Sequence, residues 1–346
     1  MPQPVGGLTG RHLRGDPYAK PVKGQPGHID QRELARILHE RWGLAPGRLR
    51  HLPVGFGDHH WELTDAAGGR WFITVAELAG GWRGTGPAAG YADLQASMET
   101  VTALSRAGLE FAVAPVPTAG EQALAPLGDR DAVTVFPYID GAAGDFGDEL
   151  PERDRLALIG ILARLHGATA LARRTALARG PSPASRPALE AALGQLGQPW
   201  RGGPYSEPAR QLLARHAAGL GRALARLDEL ARAAASSGPA VITHGEPHPG
   251  NIMRSAGRLL LIDWDTVGLA PPERDLWMVA GDDPGAVGHY AELTGRPVNG
   301  AAMDLYRLRW SLDDIALFVG DLRDPHEQDE DTELAWAGLT EEMGAI

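Results

Sequence analysis

The chain has 346 residues, 43% of them hydrophobic, and a mean hydropathy of −0.21; that describes a globular chain large enough for two lobes, and no apolar run approaches the eighteen or so residues of a membrane helix. A formal net charge of −11 argues against a nucleic-acid partner and suits a cationic small ligand. With no cysteine there are no disulfides, thiolate zinc sites or cysteine nucleophile, and the polar start MPQPVGGLTGRHLRGDP lacks the apolar stretch of a signal peptide, so a cytoplasmic protein is expected. Only Lys20 and Lys23 are lysines, so 31 of the 33 basic residues are arginine and every cation after Lys23 is one.

In chain order, residues 1–28 read as a flexible leader. Asp30 then caps an amphipathic helix to about Trp42, with Leu34, Ile37 and Leu38 on one face. The runs HLPVGFG (51–57), HHWELT (59–64) and RWFITVAEL (70–78) predict an antiparallel meander with a glycine-containing bend at 55–57. YADLQASMETVTALSRAGL (91–109) is a helix closed by Gly108, and AVTVFPYI (132–139) is a further strand. Beyond Gly141 helical periodicity dominates, in 150–168, most of 185–236 and 301–322. The exceptions are THGEPHPGNIM (243–253) and the strand-like RLLLIDWD (258–265). This predicts an α+β chain with an N-lobe of sheet and helix over 29–139 and a mainly helical C-lobe over 140–346.

The loop 243–253 carries the chemistry. Gly245, Pro247, Pro249 and Gly250 prevent regular structure, and polar side chains on rigid irregular loops are often functional. His244, Glu246 and Asn251 have the H-x-[acid]-x-x-x-x-N spacing of a kinase catalytic loop, in which a carboxylate takes a hydroxyl proton and the asparagine binds Mg²⁺. Asp263 follows twelve residues later, where a kinase places its metal-chelating aspartate. Two rival chemistries fail: the H-x-E pair of a zinc deaminase lacks its cysteines, and His244 and His248 cannot be aligned on a helix across Pro247. Asp263 and Asp265, two apart on a presumed strand, would share one face.

With these residues the sequence resembles the aminoglycoside phosphotransferase family, small-molecule kinases with HGDxHxxN followed by IDWD or IDxG in a two-lobed protein-kinase-like fold. The likeness is specific over 241–277 and follows the order of elements over roughly 31–322. It implies transfer of the γ-phosphoryl group of ATP, with Mg²⁺, to a hydroxyl of a small molecule such as an aminoglycoside or another antibiotic. It further implies Glu246 as base, His244 as brace of the loop, and Asn251 and Asp263 on the metal. Gly55 and Gly57 would cover the phosphates, and Phe136 and Tyr138 lie in the stretch whose backbone would meet adenine. Glu99 occupies the place of the carboxylate that pairs with a phosphate-binding lysine. Asp265, Asp313 and Asp314 are acidic residues for a cationic acceptor, and Asp275 is expected to brace the loop.

Two positions depart from the family pattern. Glu246 replaces the usual aspartate, and Thr74 stands in the third strand where the lysine is expected. Arg70, Arg83 and the pair His59-His60 are the nearest groups that could meet the phosphates instead. A catalytically inactive nucleotide- or ligand-binding pseudokinase is therefore the alternative to an active phosphotransferase.

Overall fold

The computed structural model describes residues 26–55, 57–79, 86–235 and 237–346, so most of the expected leader and Arg83 lie outside the described residues. Helix α1 (Gln31–Trp42) starts where Asp30 accepts from the Arg32 amide at 2.8 Å and stops at Gly43, whose φ of 71° a residue with a Cβ disfavours. Strands β1 (Pro46–Leu52), β2 (His59–Asp65) and β3 (Arg70–Glu77) form the expected antiparallel meander, except that the first strand begins and ends earlier than predicted. It ends there because Pro53 has no amide to donate, and Gly55 and Gly57 take φ of 77° and 87° in the bend that follows. After helix α2 (Pro87–Arg106), strands β4 (Ala125–Leu127) and β5 (Asp131–Pro137) complete a five-stranded sheet in the order β1-β2-β3-β5-β4.

Alternation along these strands gives the sheet two different faces. Trp61, Leu63, Ile73, Val75, Val133 and Val135 pack with Leu34, Ile37 and Leu38 of α1 into a closed core. The intervening residues form the other face, where His60 is opposite Thr74, Thr74 opposite Thr134, and Phe72 opposite Phe136. On that side Ala76 and Leu78 join Leu94 and Met98 of α2 in a second core that continues into the C-terminal half.

The C-terminal half contains β6 (Ala142–Ala143), α3 (Glu152–Gly167), α4 (Thr169–Ala172), α5 (Arg186–Gly194) and α6 (Ser206–Ala234). Strands β7 (Val241–Thr243), β8 (Ile252–Ser255), β9 (Arg258–Leu261) and β10 (Gly268–Ala270) come next. Helices α7 (Glu273–Ala280), α8 (Pro284–Thr294), α9 (Gly300–Arg323) and α10 (Glu330–Ala345) complete it. Strands β8 and β9 form a hairpin whose two-residue turn, Ala256-Gly257, has φ of 48° and 76°, the left-handed pair a tight hairpin favours. Helices α5, α6, α9 and α10 bury a separate core of Leu213, Leu220, Leu312, Ile315 and Leu339. Among the described residues no helix is long and apolar enough to cross a membrane.

Two ties fasten α2 to the lower half. Arg179 grips Asp93 with both terminal nitrogens, at 2.7 and 3.1 Å, and reaches Ser97 at 3.1 Å. Ser97 in turn donates to the carbonyl of Asp265 at 2.7 Å. The start of α2 lies so close to the end of β3 that a Cβ on Gly90 would come within 2.1 Å of the Leu78 carbonyl oxygen.

Candidate active site

The loop between β7 and β8 is held from beneath by one carboxylate. Asp275, on α7 and fully buried, accepts from the amides of His244 at 2.9 Å and Gly245 at 2.7 Å, and its Oδ2 also meets His166 Nε2 at 3.0 Å. Burial pushes this carboxyl up, but the hydrogen bond from His166 and the positive charge of Arg274 beside it outweigh that and hold it below the ordinary range. Gly245 has φ of 106°, and a Cβ there would lie 2.4 Å from Arg274 Nη2 and 2.5 Å from Thr266 Oγ1, so two constraints select glycine. Arg274 closes the floor by donating to Thr243 Oγ1 at 2.9 Å and the Thr266 carbonyl at 3.0 Å. The expected bracing by Asp275 is thus seen directly as two backbone hydrogen bonds.

His244 is fully buried with both ring nitrogens engaged. Nδ1 accepts from the Glu246 amide at 3.2 Å, which leaves Nε2–H to donate to the Ile262 carbonyl at 2.9 Å. The imidazole therefore pins the loop that bears Glu246 to the segment that bears Asp263. Burial pulls its pKa down to about 4, only partly opposed by the Asp275 charge. The sign of the resulting pH dependence is fixed. The unfolded chain takes a proton near pH 6.5 and the folded one only near 4, so this contribution is complete above 6.5 and is lost as pH falls towards 4. We expect unfolding free energy to drop between pH 7 and 5, above the range of ordinary carboxylates, with His244 alone worth on the order of 3 kcal/mol by pH 4. Denaturation midpoints that stay level over that interval would contradict a neutral buried His244.

Glu246 is 1% exposed. Its backbone is clamped at both ends, the amide on His244 and the carbonyl accepting from Asn251 Nδ2 at 3.0 Å. Asn251 Nδ2 also meets His248 Nε2 at 3.1 Å, so both amide hydrogens are engaged and the orientation of Oδ1 follows. The Ile262 amide donates to the Asn251 carbonyl at 3.1 Å, which sets the segments that bear Asn251 and Asp263 side by side. Strand β9 ends at Leu261, however, and Asp263 has φ of 61°, a left-handed conformation that aspartate tolerates better than most residues. The period-two reasoning for Asp263 and Asp265 therefore fails, because neither residue lies on a strand. Asp263 is exposed. A carboxylate and an amide oxygen, one from each of these segments, are ligand types that fit Mg²⁺, which keeps waters and takes its remaining ligands from phosphates. Among the described residues no three His or carboxylate side chains gather as a self-sufficient metal site.

The structure redirects several expected residues. Glu99 is exposed and accepts from Gln95 Nε2 at 2.7 Å, while α2 turns Leu94, Ser97, Met98 and Val101 inward. Asp313 is buried and bonded to Ser185 Oγ and, at 3.3 Å, to Arg309 Nε, so it fastens α9 internally rather than standing open to a cationic acceptor. Asp314 is buried as well, at 4% exposure, and Asp265 is half-buried with its carbonyl held by Ser97. Phe136 packs half-buried against the core shared by the two halves, and Tyr138 lies under the Arg70 guanidinium at 3.7 Å. Arg70 is also paired with Glu62 at 2.9 Å and Asp140 at 2.7 Å.

Aromatic residues that composition alone did not single out surround the loop. Phe146 stacks on Trp310 with ring centroids 5.4 Å apart, and His248 stands edge-on to Phe146 at 4.9 Å. The Trp277 ring centroid lies 5.7 Å from that of Trp310. No local periodicity marks these partners, which are brought together from three separate elements.

Comparisons with known proteins give the family and the fold. The profile of the phosphotransferase enzyme family matches residues 48–307. The StrN protein of Streptomyces griseus is 30% identical over 347 residues, covering 90% of this chain and 93% of its own. A spectinomycin phosphotransferase, APH(9)-Ia, solved with ADP and spectinomycin, superimposes with a TM-score of 0.71 at 18% identity over 92% of this chain and 95% of its own. An amicoumacin kinase solved with AMP-PNP and Ca²⁺ gives 0.58 at 14% identity, covering 92% and 94%. The choline kinase LicA of Streptococcus pneumoniae gives 0.56 at 14%, covering 91% and 99%. The fold is the two-lobed one of these kinases.

Proposed function

Because the chain belongs to the phosphotransferase enzyme family and is a small-molecule kinase, we propose that its donor is ATP, its metal Mg²⁺ and its acceptor a hydroxylated small molecule of the antibiotic kind. What supports this reading is the linkage of Glu246, Asn251 and Asp263 through the Asn251–Glu246 and Ile262–Asn251 hydrogen bonds. Glu246 receives the proton of the acceptor hydroxyl as the oxygen–phosphorus bond forms and the bond to the bridging oxygen of the leaving diphosphate breaks. Asn251 and Asp263 would hold the metal, which when bound neutralises phosphate charge. His244 and Asp275 keep the loop in shape, and such positioning matters because phosphoryl transfer relies chiefly on orientation and charge.

The acceptor is where the residues speak least for polycationic ligands. Asp313 already has Arg309 beside it, and next to the loop the half-buried Phe146 stacks on the buried Trp310. Spectinomycin and amicoumacin, the ligands of two structural relatives, are the first acceptors to test. The donor and metal are tested by melting: Mg²⁺·ATP should raise the midpoint of the parent, and Asp263→Asn, which also tolerates the left-handed backbone at this position, should abolish the Mg²⁺-dependent part of that rise. An undiminished shift in the variant would remove Asp263 from the metal.

A further inference from the structure

The chain has no lysine after Lys23, yet a phosphate-binding cation or donor is wanted at the third strand. Thr74 occupies that strand position, and across the ladder its partner is His60. His60 Nδ1 lies 3.2 Å from Thr74 Oγ1. The other end of the ring points at the glycine bend, since a Cβ on Gly55 would come within 3.1 Å of His60 Nε2. Phe72, with its ring centroid 5.0 Å away, supports the imidazole from the side. His60 thus spans the distance between the lysine position and the turn expected over the phosphates.

The competing groups identified by sequence are less well placed. Arg70 is at the opposite end of β3, stacked on Tyr138 and paired with Glu62 and Asp140. His59, next in sequence to His60, points to the other face of the sheet, where its ring lies 5.8 Å from His28 and 6.2 Å from Trp61.

We propose that His60, oriented by Thr74, takes over the lysine's contact, its Nε2–H donating to a phosphate oxygen of the nucleotide beneath the Gly55–Gly57 turn. Thr74 acts as the positioning residue: its hydroxyl donates to Nδ1 and so leaves the ring proton on Nε2. Burial, with His51 nearby, draws the pKa of His60 to about 4, so the unliganded ring is neutral and donates through one nitrogen only. A neutral donor costs less to bury than the ammonium of a lysine, which suits a position that is half closed before nucleotide arrives.

The inference rests on the nucleotide-binding reading of this site, and the test separates the two. Affinities of the full-length protein for ATP and for adenosine are measured by calorimetry. For His60→Ala we expect ATP binding to weaken by about 10–100-fold, the worth of one hydrogen bond to a charged group, with adenosine binding unchanged. Thr74→Lys in the His60→Ala background should restore ATP affinity. A second readout needs no variant to fold: imidazole ¹⁵N spectra of the parent should show one Nε2 resonance that moves with ADP and not with adenosine. Equal ATP affinity in parent and His60→Ala, or the absence of such a phosphate-dependent resonance, would remove His60 from the phosphates and leave the kinase reading intact. Failure of the parent to bind ATP at all would overturn both.

Discussion

Glu246→Gln is expected to lower turnover by about 10²–10⁴-fold while nucleotide binding is retained, the range typical of losing a general base. Glutamine keeps the length and hydrogen-bonding reach of the side chain but cannot take a proton. Glu246→Asp sharpens the result. The backbone of residue 246 is tied to His244 at its amide and to Asn251 at its carbonyl, so it cannot advance to compensate for a shorter side chain. The family's usual aspartate would thus be withdrawn by one methylene and should be slower than glutamate here, since small misplacements of a catalytic group are expensive. Steady-state rates with an acceptor that the parent phosphorylates decide the matter. Equal rates for Glu246→Gln and parent would assign proton removal elsewhere, and an inactive parent with every acceptor would favour the pseudokinase.

Asp275→Asn should cost about 3–5 kcal/mol of folding stability, the usual loss when one member of a buried, hydrogen-bonded charge cluster is removed. The carboxylate offers acceptors to His244 N, Gly245 N and His166 Nε2 at once. An amide offers one oxygen and turns an NH₂ towards a donor, leaving buried hydrogens without acceptors. Against the 5–15 kcal/mol that stabilises an ordinary domain this is a large fraction. Urea unfolding of parent and variant measures it, and a loss under about 1 kcal/mol would show that the loop does not depend on this anchor. Activity should fall with stability, because the same two amides set the path of the chain into Glu246.

The irregular shape of the loop 243–253 was legible because it is written locally. Prolines 247 and 249 and Gly245 dictate an irregular segment, and the five-residue spacing from Glu246 to Asn251 is short enough for the chain itself to bring them together. Helix α1 and the meander were legible from periodicity and capping. What escaped depends on partners distant in sequence or on rotation about an axis. Whether Glu99 faces in or out turns on helix register, where a single residue changes direction by about 100°. The buried bond from Ser185 to Asp313 joins residues 128 apart, and no spacing rule anticipates it. Strand β9 was overextended because LLLID is apolar enough to continue; the chain instead turns at Asp263, where Trp264 is buried and its indole donates to the Leu261 carbonyl at 2.8 Å.

The grip of Arg179 on Asp93, relayed by Ser97 to the carbonyl of Asp265, bears on how such an enzyme can be governed. Helix α2 is riveted at mid-length to the stretch that follows Asp263, and its first turn is pressed on the backbone of β3. These contacts fasten the helix to the upper sheet at its first turn and to the Asp263 segment at its middle. An on–off switch built on displacement of that helix would first have to break a bidentate, half-buried ion pair and free a buried hydroxyl.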